Sequence, residues 1–414
     1  MTGTRADRDD RLNAGPELLA PAGDLDKLRV AYRYGADAAY IGLSGFSLRA
    51  KGSEISFEER AAELAQIKDE RRLYGALNVY FHDSDIDTLR TQIDLIATLP
   101  LDAIIVSDVG IVELVQKGLP DVELHLSTQA NCLNAEAARF YYKIGFSRIV
   151  PAREMSIDDI KRIKDRTPEL EIEAFVHGAM CLAYSGRCLL SAWESGRSAN
   201  KGNCSHSCRW NYRRYIEEEK RPGEYFPVEE GDGFSTILSP RDLCMIDHLE
   251  TLQDAGVDAL KIEGRMKSEY YVAIVTRAYR KELDRIAVGA PREVSQPFID
   301  ELANVSHREF STGFYFGDPK ATDPTEKSYN ERYRYVASLG REVAPGRFLL
   351  DVKNSFDTSE AIEVIGPDIA CATVAEFALY NLEGNRVDRV THHSGGAIES
   401  AGLEGDGFLI RKPR

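Results

Sequence analysis

Between Glu17 and Gly264 the sequence alternates short apolar runs with amphipathic segments, and this alternation constrains the fold more than any other feature. The runs are ELLAPAG from Glu17, DAAYIGL from Asp37, LYGALNVYF from Leu73, LDAIIVS from Leu101, VELHLS from Val122, SRIVPA from Ser147, EIEAFVHG from Glu171 and VDALKIEG from Val257. Each is short and bounded by turn residues, as a buried strand should be. The segments between them, such as DLDKLRVAYRYG, SDIDTLRTQIDLIATL, NAEAARFYYKIG and SIDDIKRIKDR, space their apolar residues helically. Several open on Ser, Asp or Asn, where a helix cap belongs. Strands separated by helices pair in parallel, because only a long crossover returns the chain to the same edge. Eight such units over roughly 270 residues match a TIM-like (β/α)8 barrel in size and order. The doubly wound open sheet is the structural rival, but no G-x-G-x-x-G follows the first strand.

The expected organisation is a mobile N-terminus over residues 1–15, a barrel over 16–290, a linker over 291–328 and a small all-β barrel domain over 329–414. The connection between the seventh and eighth strands is the irregular one. Residues 181–240 form a long polar insertion, and loops of that length in a compact domain are functional or disordered. SPRDLCMIDHLETLQDAG then restores a capped helix, with Cys244 at its opening. From Tyr329 onward, runs such as RYVASLG, RFLLDVKN and AIEVIG alternate in strand fashion between Gly, Asn and Pro turns.

At 43% hydrophobic and 29% charged residues the chain has an ordinary globular balance. The N-terminus lacks the apolar core of a signal peptide, and eighteen consecutive apolar residues occur nowhere, so a cytoplasmic protein without a membrane partner is expected. A net charge of -15 argues against indiscriminate nucleic-acid binding, which relies on a basic field. It leaves room for a local basic groove, for which RWNYRRY from Arg209 and KIEGRMK from Lys261 are candidates.

Four of the seven cysteines, Cys181, Cys188, Cys204 and Cys208, crowd into the insertion, and Cys244 follows close behind. In a reducing compartment such clusters hold metal more often than they form disulfides. Soft thiolates suit iron–sulfur clusters and zinc, and a cubane takes four. Zinc ribbons want two tightly spaced pairs, and only Cys204 with Cys208 qualifies. Cys371, in DIACATVAEF, reads as an inert buried thiol.

EAFVHGAMCLAYSGRCLLS from Glu173 resembles the signature of the peptidase U32 family, the collagenase-like peptidases. ELLAPAGDLDKLRVAYRYGADAAYIG, STQANC and RDLCMIDHLETLQDAGVDALKIEGRMKSEYYVA resemble the same family, so the resemblance spans the barrel from Glu17 to Arg285. It implies an iron–sulfur enzyme of tRNA modification that converts wobble uridine to 5-hydroxyuridine without molecular oxygen, with a 4Fe-4S cluster and with prephenate as hydroxyl donor. Other branches hydroxylate a ribosomal RNA cytidine or a ubiquinone precursor. Cys181, Cys188 and Cys204 fall on cluster cysteines of the family, and the fourth ligand comes from the position of Cys244 in some branches and of Cys208 in others. A helix-borne Cys244 is the better fixed of the two. The rival reading is a peptidase, as the family name has it, yet H-E-x-x-H and G-x-S-x-G are both absent.

In a βα barrel the chemistry sits where strands end. Asn78, Gln129, Asn131, Arg153, Glu154, His177, Lys261, Glu263 and Arg265 lie at such ends. Prephenate carries two carboxylates, so Arg153 and Arg265 are expected clamps, with Lys261 assisting. Gln129 and Asn131 are placed to read a base edge. His177, close to Cys181, is expected to move a proton or donate to a cluster sulfide, and Glu263 and Arg265 join it as catalytic candidates. Against these roles stand ion pairs between Arg153 and Glu154 or Glu263 and Arg265, a structural histidine, and a plain helix cap at STQAN.

Overall fold

The computed structural model describes residues 15–43, 45–47, 54–55, 61–181, 185–188, 190–201, 203–209, 215–217, 222–223, 225–227, 241–317, 332–392, 395–401, 403, 405 and 407–414. Residues 1–14, Trp210–Arg214 of the basic aromatic run and residues 318–331 lie outside the described residues.

All eight apolar runs become parallel strands: β1 (Glu17–Pro21), β2 (Ala38–Leu43), β3 (Arg72–Leu77), β4 (Ala103–Val106), β5 (Glu123–Leu126), β6 (Arg148–Ile149), β7 (Glu171–Ala179) and β8 (Ala259–Ile262). β8 pairs with β7, Lys261 opposite Phe175, and also with β1, Glu17 opposite Ala259, so the sheet closes on itself. Closure leaves both faces covered: the interior by packed side chains, the exterior by helices. That is why all six residues of β2 are buried. Helices α1 (Leu25–Arg33), α2 (Ala61–Lys68), α3 (Asp83–Ile96), α4 (Val112–Gly118), α5 (Ala135–Lys143), α6 (Ile157–Arg166), α7 (Leu249–Asp254) and α8 (Glu269–Val288) alternate with them. Two caps fall where the sequence placed them, Asn134 accepting from the Ala137 amide and Ser156 forming a capping box with Asp159, whereas α3 starts at Asp83, ahead of Ser84, with His82 at its N-cap.

The segment ahead of β8 departs from expectation. Cys244 does not open a helix; it ends a short strand, Asp242–Cys244, antiparallel to the outer end of β7 and parallel to Phe310–Ser311. Helix begins only at Leu249, after a single tight turn. The reason is tertiary pairing: the Asp242 amide donates to the Glu309 carbonyl, the Asp242 carboxylate accepts from the Arg308 amide at 3.1 Å, and the Met245 amide donates to the Val176 carbonyl. Backbone groups already satisfied by neighbouring strands gain nothing from coiling into a helix.

The chain divides into two compact units, with breaks after residues 28, 36, 267, 307 and 329. The second gathers α8, short helical turns over Arg292–Asn304 and an eight-stranded antiparallel sheet. That sheet runs in the order Ala372–Val374, Ile362–Ile365, Leu409–Pro413, Tyr333–Ala344, Arg347–Val352, Gly396–Glu399, Ala378–Tyr380 and Arg386–Val387. Val374 and Leu379, near opposite ends of this order, share one apolar core with Val336, Phe348 and Ile410, so the sheet curls around its own interior. Within this unit the buried Arg277 of α8 donates to the carbonyls of Gly366, Ile369 and Ala370. Cys371 is not buried: it is exposed beside an end strand of the sheet, and its thiol donates to the Glu363 carboxylate at 3.2 Å. No helix among the described residues is long and apolar enough to cross a membrane.

Candidate functional site

A cavity of about 90 Å³ opens at the C-terminal ends of the barrel strands. Asn78 after β3, Gln129 after β5, Arg153 after β6, and Lys261, Glu263 and Arg265 along and after β8 all line it. Asn131, Glu154 and His177, the other residues expected near the strand ends, do not. Tyr40 of β2 and Phe175 of β7 supply aromatic walls. Six residues scattered over nearly two hundred positions meet here because each lies in or just after a strand of one closed sheet.

Beneath the cavity lies a network of buried charge that the sequence analysis did not foresee. The Lys261 ammonium sits 2.6 Å from Glu173 Oε1, and Glu173 is fully buried. Arg148, itself buried, donates to Glu173 at 3.3 Å, to Glu17 at 2.7 Å and to Glu171 at 2.8 Å. Arg72 reaches Glu17 at 3.5 Å, and the Tyr74 hydroxyl donates to the same carboxylate. Three cations thus face three carboxylates. Burial raises the pKa of Glu173, but Lys261 and Arg148 more than offset it, and the carboxyl is held below its usual range. His125, fully buried against Tyr74, is pushed down by burial and by Arg148, which keeps it neutral. The signal for this layer was present as Glu171 and Glu173 two apart in an otherwise apolar run, which puts both on one strand face. Which face became evident only on closure. Lys261 is accordingly engaged from below by Glu173, with Tyr40 4.5 Å from its ammonium.

Arg153 and Arg265 stand higher. The Arg153 guanidinium lies 4.1 Å over the Phe175 ring and donates to the Ala179 carbonyl at 2.6 Å. A planar guanidinium parked on an aromatic face presents its remaining N–H groups in a fixed direction. Arg265 is only 4% exposed and lies against the backbone of β2 at Gly42. Glu154 does not pair with Arg153. Its carboxylate accepts from the amide and hydroxyl of Ser185, and so ties the cysteine-bearing loop to the barrel mouth. Ser127 caps the tight turn Thr128–Ala130 and Asn131 ends it in the left-handed conformation, so STQAN is a cap whose first three residues, Ser127, Thr128 and Gln129, also form part of the cavity wall.

The loop that carries the cysteines rests on this rim. Gly186, at φ +72°, brings its backbone against the Gln129 carbonyl and the Tyr80 hydroxyl, where a Cβ has no room. The Cys188 carbonyl accepts from Asn200, whose own carbonyl accepts from the Tyr80 amide. The Cys204 sulfur accepts the His206 amide at 3.4 Å, a bond of the kind that surrounds cluster sulfurs. Cys208 lies on the turn Ser207–Arg209, and Cys244 stands opposite His177 in the antiparallel ladder. Directly opposed residues share a face, with Cβ atoms about 5 Å apart. His177 is buried and its ring packs 5.4 Å from that of Phe310, beside the cavity rather than in it. None of Cys181, Cys188, Cys204, Cys208 and Cys244 is disulfide-bonded and none is buried, so the donor set suits a soft-metal cluster. Among the described residues no three His, Cys, Asp or Glu converge as a single ion requires. A cubane distributes its cysteines over separate irons instead.

Gly178 holds the junction between loop and cavity. It adopts φ +109°, and a Cβ there would lie 2.5 Å from the Glu263 carbonyl. Gly178→Ala is expected to lower stability by about 1–3 kcal/mol, the usual size of such backbone strain, as read from a denaturant melt. An unchanged midpoint would show that the close approach is unimportant.

The sequence profile of peptidase family U32 matches residues 23–325. The tRNA hydroxylation protein P1 of Bacillus subtilis (strain 168) is 36% identical, over 91% of this chain and 90% of its own. The tRNA hydroxylation protein P of Escherichia coli (strain K12) is 33% identical, over 85% of this chain and 86% of its own. Among solved structures, the U32 peptidase Mk0906 aligns at 15% identity with a TM-score of 0.38, covering 60% of this chain and 93% of that one.

Proposed function

The chain belongs to peptidase family U32, and from that premise we propose that it hydroxylates tRNA: an oxygen-independent, prephenate-dependent conversion of wobble uridine to 5-hydroxyuridine in the cytoplasm, with a 4Fe-4S cluster as resident cofactor. Two relatives named as tRNA hydroxylation proteins, aligned over most of both chains, support the RNA substrate and the reaction class. The observation that carries the finer reading is the cavity itself, where two guanidinium groups and the amides of Asn78 and Gln129 face one small volume beside a loop of cysteines that form no disulfide.

In this reading Arg153 and Arg265 hold the carboxylates of prephenate, each through a bidentate fork. Lys261, anchored by Glu173, adds positive potential from the floor without leaving its place. Gln129 and Asn78 present both donors and acceptors, as recognition of a pyrimidine edge requires. The aromatic walls of Tyr40 and Phe175 exclude water and strengthen the polar contacts between them. Cys181, Cys188, Cys204 and Cys244 would hold the cluster, with Cys208 the alternative fourth ligand; when bound, it supplies a Lewis-acidic or electron-relaying iron.

The test is nucleoside mass spectrometry of unmodified tRNA incubated without oxygen with the purified protein, with and without prephenate. The expected result is a uridine that gains one oxygen only when prephenate is present. Absence of that product, with peptide hydrolysis that survives iron removal, would establish the peptidase reading instead.

A further inference from the structure

Helix α5 carries a surface feature that neither the cavity nor the cysteine loop explains. Phe140 is 56% exposed and Tyr142 38% exposed, and the flanking Arg139 and Lys143 are exposed as well. Isolated apolar residues on a surface are ordinary, but two exposed rings that the helical turn places on either side of the adjacent cations Arg139 and Lys143 are not. The acid of this helix, Glu136, is taken by Arg166 of α6. Among the described residues no ion pair engages Arg139 or Lys143, in a chain whose net charge is -15. A cationic, aromatic face on an acidic protein has a restricted range of complements.

Its position is equally specific. α5 follows β5, so it starts at the cavity rim just past Gln129 and runs back down the outside of the barrel; Arg139–Lys143 form its second half, with side chains that lean toward the helix N-terminus and so back toward the mouth. Tyr141 packs edge-on against Phe140 at 5.8 Å and against Phe146 at 5.6 Å, which stiffens the base of the patch. The exposed Arg187, on the loop docked over Gln129, links patch to mouth: burial raises the phenols of both Tyr80 and Tyr141, and the Arg187 charge opposes the rise at each.

We propose that this face, made of Arg139, Phe140, Tyr142 and Lys143 with Arg187 toward the mouth, is a docking surface for unpaired RNA, on which the nucleotides flanking the reacting base are stacked and held by phosphate contacts. Bases stack on aromatic faces whatever their sequence, and phosphates need unengaged cations beside those faces. This surface provides both. A second copy placed by two-fold symmetry would meet the same cations with its own and is the less suitable occupant. The inference rests on the reading of the chain as an enzyme that acts on RNA, and it assigns to that enzyme a substrate-binding surface outside the reaction cavity.

The test is fluorescence anisotropy with a labelled, unmodified tRNA transcript over a range of salt concentrations, using the full chain. Phe140→Ala with Tyr142→Ala is expected to weaken binding about tenfold or more. Arg139→Gln with Lys143→Gln is expected to reduce the salt dependence of log K by about one to two. All four side chains are exposed, so thermal melts should coincide with the wild type, and the second pair tests the surface independently of the first. Wild-type binding that neither pair alters overturns the docking surface and leaves the tRNA reading standing. No wild-type binding at all overturns both. A wild-type dimer that the aromatic variant dissolves, with tRNA affinity unchanged, assigns the face to self-association instead.

Discussion

Glu173→Ala is expected to melt about 10 °C below the wild type, from a loss of about 3–5 kcal/mol, because it strips two buried cations of their shared counter-charge. Glu173 is fully buried, 2.6 Å from Lys261 and 3.3 Å from Arg148. Removing one member of a buried pair leaves the other desolvated and uncompensated, a cost far above that of any surface pair. Glu173→Leu combined with Lys261→Met should recover much of the loss, since Arg148 keeps Glu17 and Glu171. The wild type should also show a steeper acid limb than the variant, which keeps Glu171 but not Glu173. Glu171 and Glu173 titrate below the usual 4.5 in the folded state, so their contribution is complete above that value and disappears as pH falls through the depressed folded-state range. A single variant that melts within a degree or two of the wild type would mean that the network is not a structural element of the barrel.

Cys181→Ser and Cys244→Ser, purified without oxygen, are each expected to fall from about four irons and four sulfides per chain to nearly none. Cys208→Ser is expected to retain them. Cys244 is preferred for a reason other than a helical setting: its strand is hydrogen-bonded to β7 on one side and pairs with Phe310–Ser311 on the other, and it faces His177 across the ladder. A thiol fixed from two sides loses little entropy on ligation. Cys208 sits on a short turn in the insertion. Iron lost from Cys208→Ser and kept in Cys244→Ser would reverse the assignment. Zinc without sulfide in the wild type would end the cluster proposal altogether. Because the readout is metal content, failure of catalysis for any other reason does not affect it.

The barrel was legible because its information is local. A run such as DAAYIGL can only be buried on both faces, and an amphipathic segment such as SIDDIKRIKDR can only lie against such a sheet, so repetition of the pair leaves few topologies. The cavity was partly legible for the same reason. Residues that close strands in a barrel must gather at one end, which brought Asn78, Gln129, Arg153, Lys261, Glu263 and Arg265 together. The misplaced elements were those whose state is set by partners distant in sequence. The stretch around Cys244 has helical spacing, but β7 and residues 308–311 claim its backbone. Glu154 looks like a partner for its neighbour Arg153, yet Ser185 takes it. Cys371 sits in an apolar stretch, but at an end strand of its sheet, where one side is left to water.

The sequence by itself determined a parallel barrel, a separate C-terminal antiparallel sheet, a crowding of thiols in one insertion and the end of the barrel where polar side chains meet, because periodicity and strand order depend only on neighbours along the chain. Tertiary structure alone decided which charges neutralise one another. Glu17, Arg148, Glu173 and Lys261 are separated by as many as 244 positions, and only the pairing of β8 with β1 puts them in one dry interior, where each becomes the nearest counter-charge of the next.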